Sequence, residues 1–329
     1  MSKSEYRIRI NNHSFDVNKE ETILEAALRS KILIRHSCKK GRCRDCIAKV
    51  EKGKFFMPEY NEGLNQRELD LKYCLTCITK PLDNIELSDV QFTIGELPEI
   101  RTIPSKISVL NRISKDVIEL TLRIPPTQVL KFLPGQYVDL NRSGISRSYS
   151  IASSTEEKNL KFLIKRYKNG KFSEYLFSQA KLDDLIQING PKGSSFFNED
   201  DNLNQIILIS TGTGIAPNLS ILDYVLRKKL IDPSEIYVIH GQRDKEEHVY
   251  NISTQFSGIN TILCTSRNQV DGFYFGYVQQ ALENIKSQLK NPSIYICGNP
   301  SMVNDTLAFI SDSNLSYKTL KTDIFIQSH

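Results

Sequence analysis

Residues 38–46 read CKKGRCRDC, setting Cys38, Cys43 and Cys46 in a C-x4-C-x2-C run, and Cys74 and Cys77 follow about thirty residues later. Three thiolates on one tight loop, closed by a fourth from a distant segment, is the spacing that holds an iron–sulfur cluster of the [2Fe–2S] type. Gly41 supplies the backbone freedom that such a loop needs. Four-cysteine zinc sites are the alternative, but they usually pair one CxxC with another, and the leading three cysteines contain only one. Seven cysteines, an odd number, suit metal ligation or redox work better than a disulfide framework.

Outward from this loop, Tyr6 to Ile10 alternates apolar and polar residues, His13 to Val17 does the same after an Asn-Asn turn, and Ile23, Leu24, Ala27 and Leu28 recur at helical spacing. Ile47 to Val50 resumes as a strand, and Cys77 to Leu87 offers a short pair. Pro98 and Pro104 bracket a linker. From Ser105 come short strands at close intervals, KISVL, VIELTLRI, QYVDL, RSYSIAS, KFLIKRY and LIQING, which predict an antiparallel barrel. From Gln205 the strands IILIS, EIYVIHG, NTILCTS and SIYICG alternate with helical candidates at 218–229, 278–289 and 302–311, predicting a parallel α/β sheet.

The 329 residues exceed what one core normally supports, so a multidomain chain of α+β and α/β parts is expected. No secretory h-region opens the chain and no stretch approaches the roughly 18 apolar residues of a span, which predicts a cytoplasmic protein with no membrane partner. A net charge of +5 is too small to predict nucleic-acid binding. Between Arg29 and Lys54, however, ten basic residues face two acids, Asp45 and Glu51, and that excess predicts docking of an acidic partner through Arg42 and Arg44.

Two further constellations carry chemistry. Arg147-Ser148-Tyr149-Ser150 is followed 20 residues later by Gly170-Lys-Phe172-Ser173. A phosphate needs a fork of donors and a flat ring needs an aromatic wall, and these residues offer both. Residues 207–222, ILISTGTGIAPNLSIL, put Gly212, Thr213 and Gly214 between an apolar strand and a helix that carries Pro217, the arrangement that lets backbone N–H groups approach a pyrophosphate.

Taken together, the cysteine run, RSYS with GKFS, LPGQYVDL at 133–140, GPKGSSFF at 190–197, TGTGIAP, CTSR at 264–267 and ICGNPSMV at 296–303 resemble the ferredoxin–NADP reductase superfamily with an N-terminal plant-type ferredoxin domain. The resemblance implies a β-grasp ferredoxin domain at 1–95, an antiparallel flavin-binding β-barrel at 102–200 and a parallel α/β nucleotide-binding domain at 204–329. It implies Cys38, Cys43, Cys46 and Cys77 as cluster ligands, because LTC at 75–77 resembles the segment with the last ligand, and leaves Cys74 in the core. It implies FAD held by Arg147, Ser148, Tyr149, Ser150, Lys165, Gly170, Phe172 and Ser173, with Phe325 of the terminal DIF segment near the flavin. NADH or NADPH would meet Gly212, Thr213, Gly214, Pro217, Ser266, Arg267, Cys297 and Gly298. Ser150, Tyr149 and Cys297 are the expected catalytic residues.

One departure stands out: Arg44 and Asp45 follow the second loop cysteine, where ferredoxins usually keep a small residue. Within the superfamily, VIELTLRIPPTQVLKFLPGQYVDL and TDIFIQS are most similar to the CDP-6-deoxy-3,4-glucoseen reductases. Those pass electrons to a pyridoxamine phosphate-dependent iron–sulfur dehydrase in 3,6-dideoxysugar synthesis. The reductase components of bacterial oxygenases share the same domain order and are the second choice, with an oxygenase component as acceptor. A scaffold that kept the fold and lost electron flow is the remaining alternative; the intact motifs argue against it.

Overall fold

The computed structural model describes residues 6–18, 20–36, 39–42, 44–59, 61–199, 204–248, 250 and 252–325. It contains two compact units, residues 1–97 with 193–195, and residues 98–192 with 196–329.

In the first unit, β1 (Tyr6–Ile10), β2 (His13–Val17), β4 (Ile47–Lys52), β6 (Tyr73–Leu75) and β8 (Ile85–Ser88) form a mixed sheet in the order β2-β1-β8-β4-β6. β1 and β8 run parallel and the other pairs antiparallel, the β-grasp arrangement. Alternation decides the faces: Ile8 and Ile10 are fully buried, whereas Arg7 and Arg9 point to solvent. Helix α1 (Ile23–Arg29) lies over this core with Ile23, Leu24, Ala26 and Ala27. A capping box starts it: Thr22 Oγ1 accepts from Glu25 N at 3.2 Å, and Glu25 Oε2 accepts from Thr22 N at 2.9 Å. Two short ribbons, β3 (Ile32–Ile34) with β9 (Phe92–Ile94) and β5 (Phe55–Phe56) with β7 (Lys80–Pro81), and a five-residue helix α2 (Gln66–Asp70) complete the unit.

The second unit contains two six-stranded sheets. β10 (Arg101–Arg112), β11 (Val117–Arg123), β12 (Tyr137–Arg142), β13 (Ile145–Ser150), β14 (Asn159–Lys165) and β15 (Leu185–Lys192) form an antiparallel half-barrel in the order β13-β12-β15-β10-β11-β14. Its interior is lined by residues of alternating strand positions such as Ile118, Leu120, Leu122, Val138, Leu140, Phe162 and Ile164. β13, which carries RSYS, is a terminal strand of that sheet, and α3 (Lys171–Ser178) adds Phe172, Leu176 and Phe177 to the same core.

The other sheet is parallel throughout, in the order β19-β18-β17-β16-β20-β21, from β16 (Ile206–Thr211), β17 (Ile236–Gln242), β18 (Asn260–Thr265), β19 (Tyr274–Phe275), β20 (Ser293–Gly298) and β21 (Thr319–Ile324). Helices α4 (Ile215–Arg227), α5 (Ile252–Gln255), α6 (Val278–Ile285) and α7 (Pro300–Asp312) connect it. Ile206 to Ile209 are all fully buried, as expected of a parallel strand covered on both faces. Strand order reverses between β16 and β20, and such a switch point opens a crevice beyond the carboxyl ends of the strands. No helix of the described residues is long and apolar enough to cross a membrane.

Candidate functional site

Of the four expected cluster ligands, Cys38 and Cys43 lie outside the described residues. Cys46 and Cys77 are both buried, and the two segments are stapled together at Thr76, whose N–H and Oγ1 both donate to the Cys46 carbonyl, at 3.0 and 3.1 Å. This brings the last-ligand segment against the CRDC loop, which fits a cage closed from a distant strand. Cys74 lies in the same core cluster as Cys46 and Cys77. It sits on β6 opposite Ala48, fully buried in the apolar core, and burial pushes its thiol up to about 12.

In the half-barrel, RSYS occupies the end of β13. Arg147 is half-buried with Nη1 on the Ser146 carbonyl at 2.7 Å, and Ser148 Oγ donates to Asp139 Oδ1 at 2.6 Å. The Tyr149 ring lies 5.7 Å from that of Phe172, tilted by 37°, and burial pushes its phenol up, so it stays neutral. Phe172 and Ser173 lie in the first turn of α3, where Gly170 is the N-cap and no side chain caps the orphan N–H groups. Ser173 Oγ instead closes the preceding turn, accepting from Tyr167 N at 3.2 Å and donating to the Gly170 carbonyl at 3.0 Å. An arginine, an uncapped helix start and an aromatic pair are the donor set and wall that a flavin with phosphates requires. Lys165 is engaged elsewhere, with Nζ 3.3 Å from Asp116 Oδ2.

In the parallel sheet, β16 ends in the turn Gly212–Gly214, from which α4 starts with no side-chain cap. Gly212 has φ +58°, and a Cβ on Gly214 would come within 2.4 Å of the Cys297 carbonyl oxygen. The turn therefore packs directly on the end of β20, at the switch point of the sheet. Pro217 is the third residue of α4, where a missing N–H breaks no helical bond. Ser266 and Arg267 follow β18, and their backbone N–H groups bond the carbonyls of Gln242 and Arg243 at 3.2 and 3.0 Å. Gly298 ends β20, and its carbonyl accepts from Phe325 N at 2.8 Å.

The flavin and nucleotide motifs converge on one carboxylate. Ser150 Oγ lies 3.5 Å and Cys297 Sγ 3.9 Å from the same Asp323 Oδ2. β20 and β21 set Cys297 directly opposite Asp323, and all three residues are buried. Burial first, and then the Asp323 charge, hold the Cys297 thiol well above its ordinary range, so it remains a protonated donor. A hydroxyl and a thiol sharing one acceptor make a site that can hold and reposition a proton.

Residues 7–82 match the 2Fe-2S iron-sulfur cluster binding domain family, 104–197 the oxidoreductase FAD-binding domain family and 208–307 the oxidoreductase NAD-binding domain family. The CDP-6-deoxy-L-threo-D-glycero-4-hexulose-3-dehydrase reductase of Yersinia pestis is 32% identical over 317 residues, covering 93% of this chain and 94% of that protein. The chain belongs to the ferredoxin–NADP reductase superfamily. It is an NAD(P)H-dependent electron-transfer reductase with [2Fe–2S], FAD and NAD(P)H domains. The 2-halobenzoate 1,2-dioxygenase electron transfer component of Burkholderia cepacia is 27% identical over 307 residues, covering 91% of this chain and 90% of that protein. The crystal structure of an Amycolatopsis cytochrome P450 reductase, GcoB, shares the fold with a TM-score of 0.73 at 24% identity, over 98% of this chain and 99% of that one.

Two features of the reductase escape its motifs. Asp323 lies in the terminal DIF segment, whose family motif points only to the aromatic residue. Arg44, the departure beside the cluster loop, has φ +65° and is latched in place. Its Nη1 donates to the Gly63 carbonyl at 2.8 Å, and its guanidinium grips Glu68, which also completes the capping box of α2. Arg42 faces Glu62 at 3.4 Å, and Arg29, Lys31, Arg35, Lys49 and Lys52 each meet an acid as well. Seven of the ten basic residues of the run thus meet an acid within their own unit. The buried histidines serve packing: His240 Nδ1 is 2.9 Å from Ser210 Oγ, and burial pushes it down to about 3.

Proposed function

We propose that this reductase carries electrons from NADH or NADPH to the iron–sulfur dehydrase of a 3,6-dideoxysugar pathway. The convergence of Ser150 and Cys297 on Asp323 carries the reductase part of the reading, because it joins the flavin strand to the nicotinamide strand at one proton-holding point. The acceptor rests on the 32% identity to the Yersinia pestis dehydrase reductase over nearly the whole of both chains. An oxygenase component is the second reading, favoured by the 27% identity to the Burkholderia cepacia protein.

The working parts are residues 1–95 for the cluster, 102–200 for the flavin and 204–329 for the nucleotide, in a cytoplasmic protein. When bound, FAD would supply hydride acceptance from the nicotinamide and the [2Fe–2S] cluster one-electron delivery to the acceptor. Cys38, Cys43, Cys46 and Cys77 hold the cluster. Arg147 and the first turn of α3, with Gly170 and Ser173, hold the flavin phosphates, while Tyr149, backed by the buried Phe172, forms the wall for its ring; Ser148 braces β13 through Asp139, Lys165 is a further flavin-side cation and Phe325 lies near the ring. The Gly212–Gly214 turn with Pro217 receives the nucleotide pyrophosphate, Ser266 and Arg267 the adenosine side, and Gly298 the nicotinamide side. Ser150 and Cys297 donate at the hydride step, and Asp323 positions both. The test is anaerobic reduction of the holoprotein, followed by transfer to a purified dideoxysugar dehydrase and to an oxygenase component. Fast reduction of the dehydrase supports the reading; reduction of the oxygenase component alone replaces it with the second.

A further inference from the structure

The two ends of a dinucleotide leave the pyrophosphate in opposite directions. At the switch point the nicotinamide end is fixed by Cys297 on β20, so the adenosine end runs the other way, over the ends of β17 and β18. The loops there are 243–247 and 266–273. At their centre Asp244 Oδ2 lies 3.2 Å from Arg267 Nη1, and Asp244 Oδ1 accepts from Asn268 Nδ2 at 3.1 Å. The arginine that a 2′-phosphate would need is already paired. The surrounding charges do not replace it: across both loops Arg243, Lys245 and Arg267 stand against Asp244, Glu246, Glu247 and Asp271.

Resting on the nucleotide-site reading above, we propose that Asp244 is the residue that makes this reductase select NADH over NADPH. A ribose 2′-hydroxyl can donate to a carboxylate, whereas a 2′-phosphate has no such donor and brings a charge of about −1.5 to −2 toward an acidic loop. Its entry would demand that Arg267 leave Asp244 and that the carboxylate remain beside a like charge.

The test is calorimetric titration of the FAD-loaded protein with 5′-AMP and with adenosine 2′,5′-bisphosphate, which differ only in the 2′-phosphate. The wild-type protein binds 5′-AMP at least about tenfold tighter, and Asp244→Asn narrows that ratio by about tenfold or more, about 1.4 kcal/mol. Arg267→Gln keeps or widens the ratio. Flavin content and thermal unfolding verify that both variants fold. A wild-type preference for the bisphosphate, an unmoved ratio in Asp244→Asn, or a narrowed one in Arg267→Gln overturns the proposal. Flavin reduction by NADH in the same preparations separates the two layers. If it occurs, a failed ratio removes only the role of Asp244; if neither nucleotide binds or reduces the flavin, the site reading falls with it.

Discussion

Ser150, Cys297 and Asp323 come from three separate stretches of sequence and meet within hydrogen-bonding reach. Ser150→Val should therefore keep its flavin and slow flavin reduction by NADH at least about tenfold, which costs about 1.4 kcal/mol of barrier; stopped-flow reduction reads it directly. Asp323→Asn keeps the shape and removes the charge, so a smaller loss of the same kind is expected. The sequence carried Ser150 and Cys297 because each lies in a recognisable string. Asp323 has no string of its own, and only strand pairing with Cys297 gives it meaning. Arg44 shows the opposite difficulty. As a letter it looked like spare positive charge, but its worth lies in a backbone at φ +65° and a grip on Glu68. Arg44→Glu should loosen the cluster loop, seen as faster loss of cluster absorbance, without conferring the salt-dependent acceptor kinetics of a docking residue.

At the level of elements, alternation and helical spacing are enough to locate most strands and the helices α1, α4, α6 and α7. α3 is harder to read, because GKFS signals a ligand motif and only the burial of Phe172, Leu176 and Phe177 marks the helix face in the core. The terminal strand β21 is hard to read for a related reason: its pairing partner, β20, lies more than twenty residues away and nothing local announces it. Caps make quantitative predictions here. Thr22→Ala removes one half of the box that starts α1 and should cost about 1 kcal/mol in denaturant unfolding. In the half-barrel, Phe162 is fully buried, and Phe162→Ala should cost about 3–5 kcal/mol.

For the molecule as a whole, the buried neutral His240 weakens stability on the acid side. His240 has its folded value pushed down to about 3 from 6.5, so only the unfolded chain takes up its proton between those values. Stability is then unaffected above about pH 6.5 and is lost as pH falls toward 3, by up to about 1.4 kcal/mol per pH unit. His240→Gln should flatten that limb in thermal unfolding measured at several pH values. The order of the three functional parts was legible because each motif set is self-contained; the acceptor was not, since it is another protein whose imprint no internal contact records.

Electron flow from nucleotide through flavin to cluster is the central claim, and anaerobic titration of the purified protein with NADH tests it most directly. The flavin and cluster bands should both bleach, ending at about 1.5 NADH per chain, two electrons for the flavin and one for the cluster. Cys77→Ser should lose the cluster signal and retain a reducible flavin. Bleaching that stops at the flavin in the wild-type protein, or a cluster that survives Cys77→Ser and disappears in Cys74→Ser, would contradict the account.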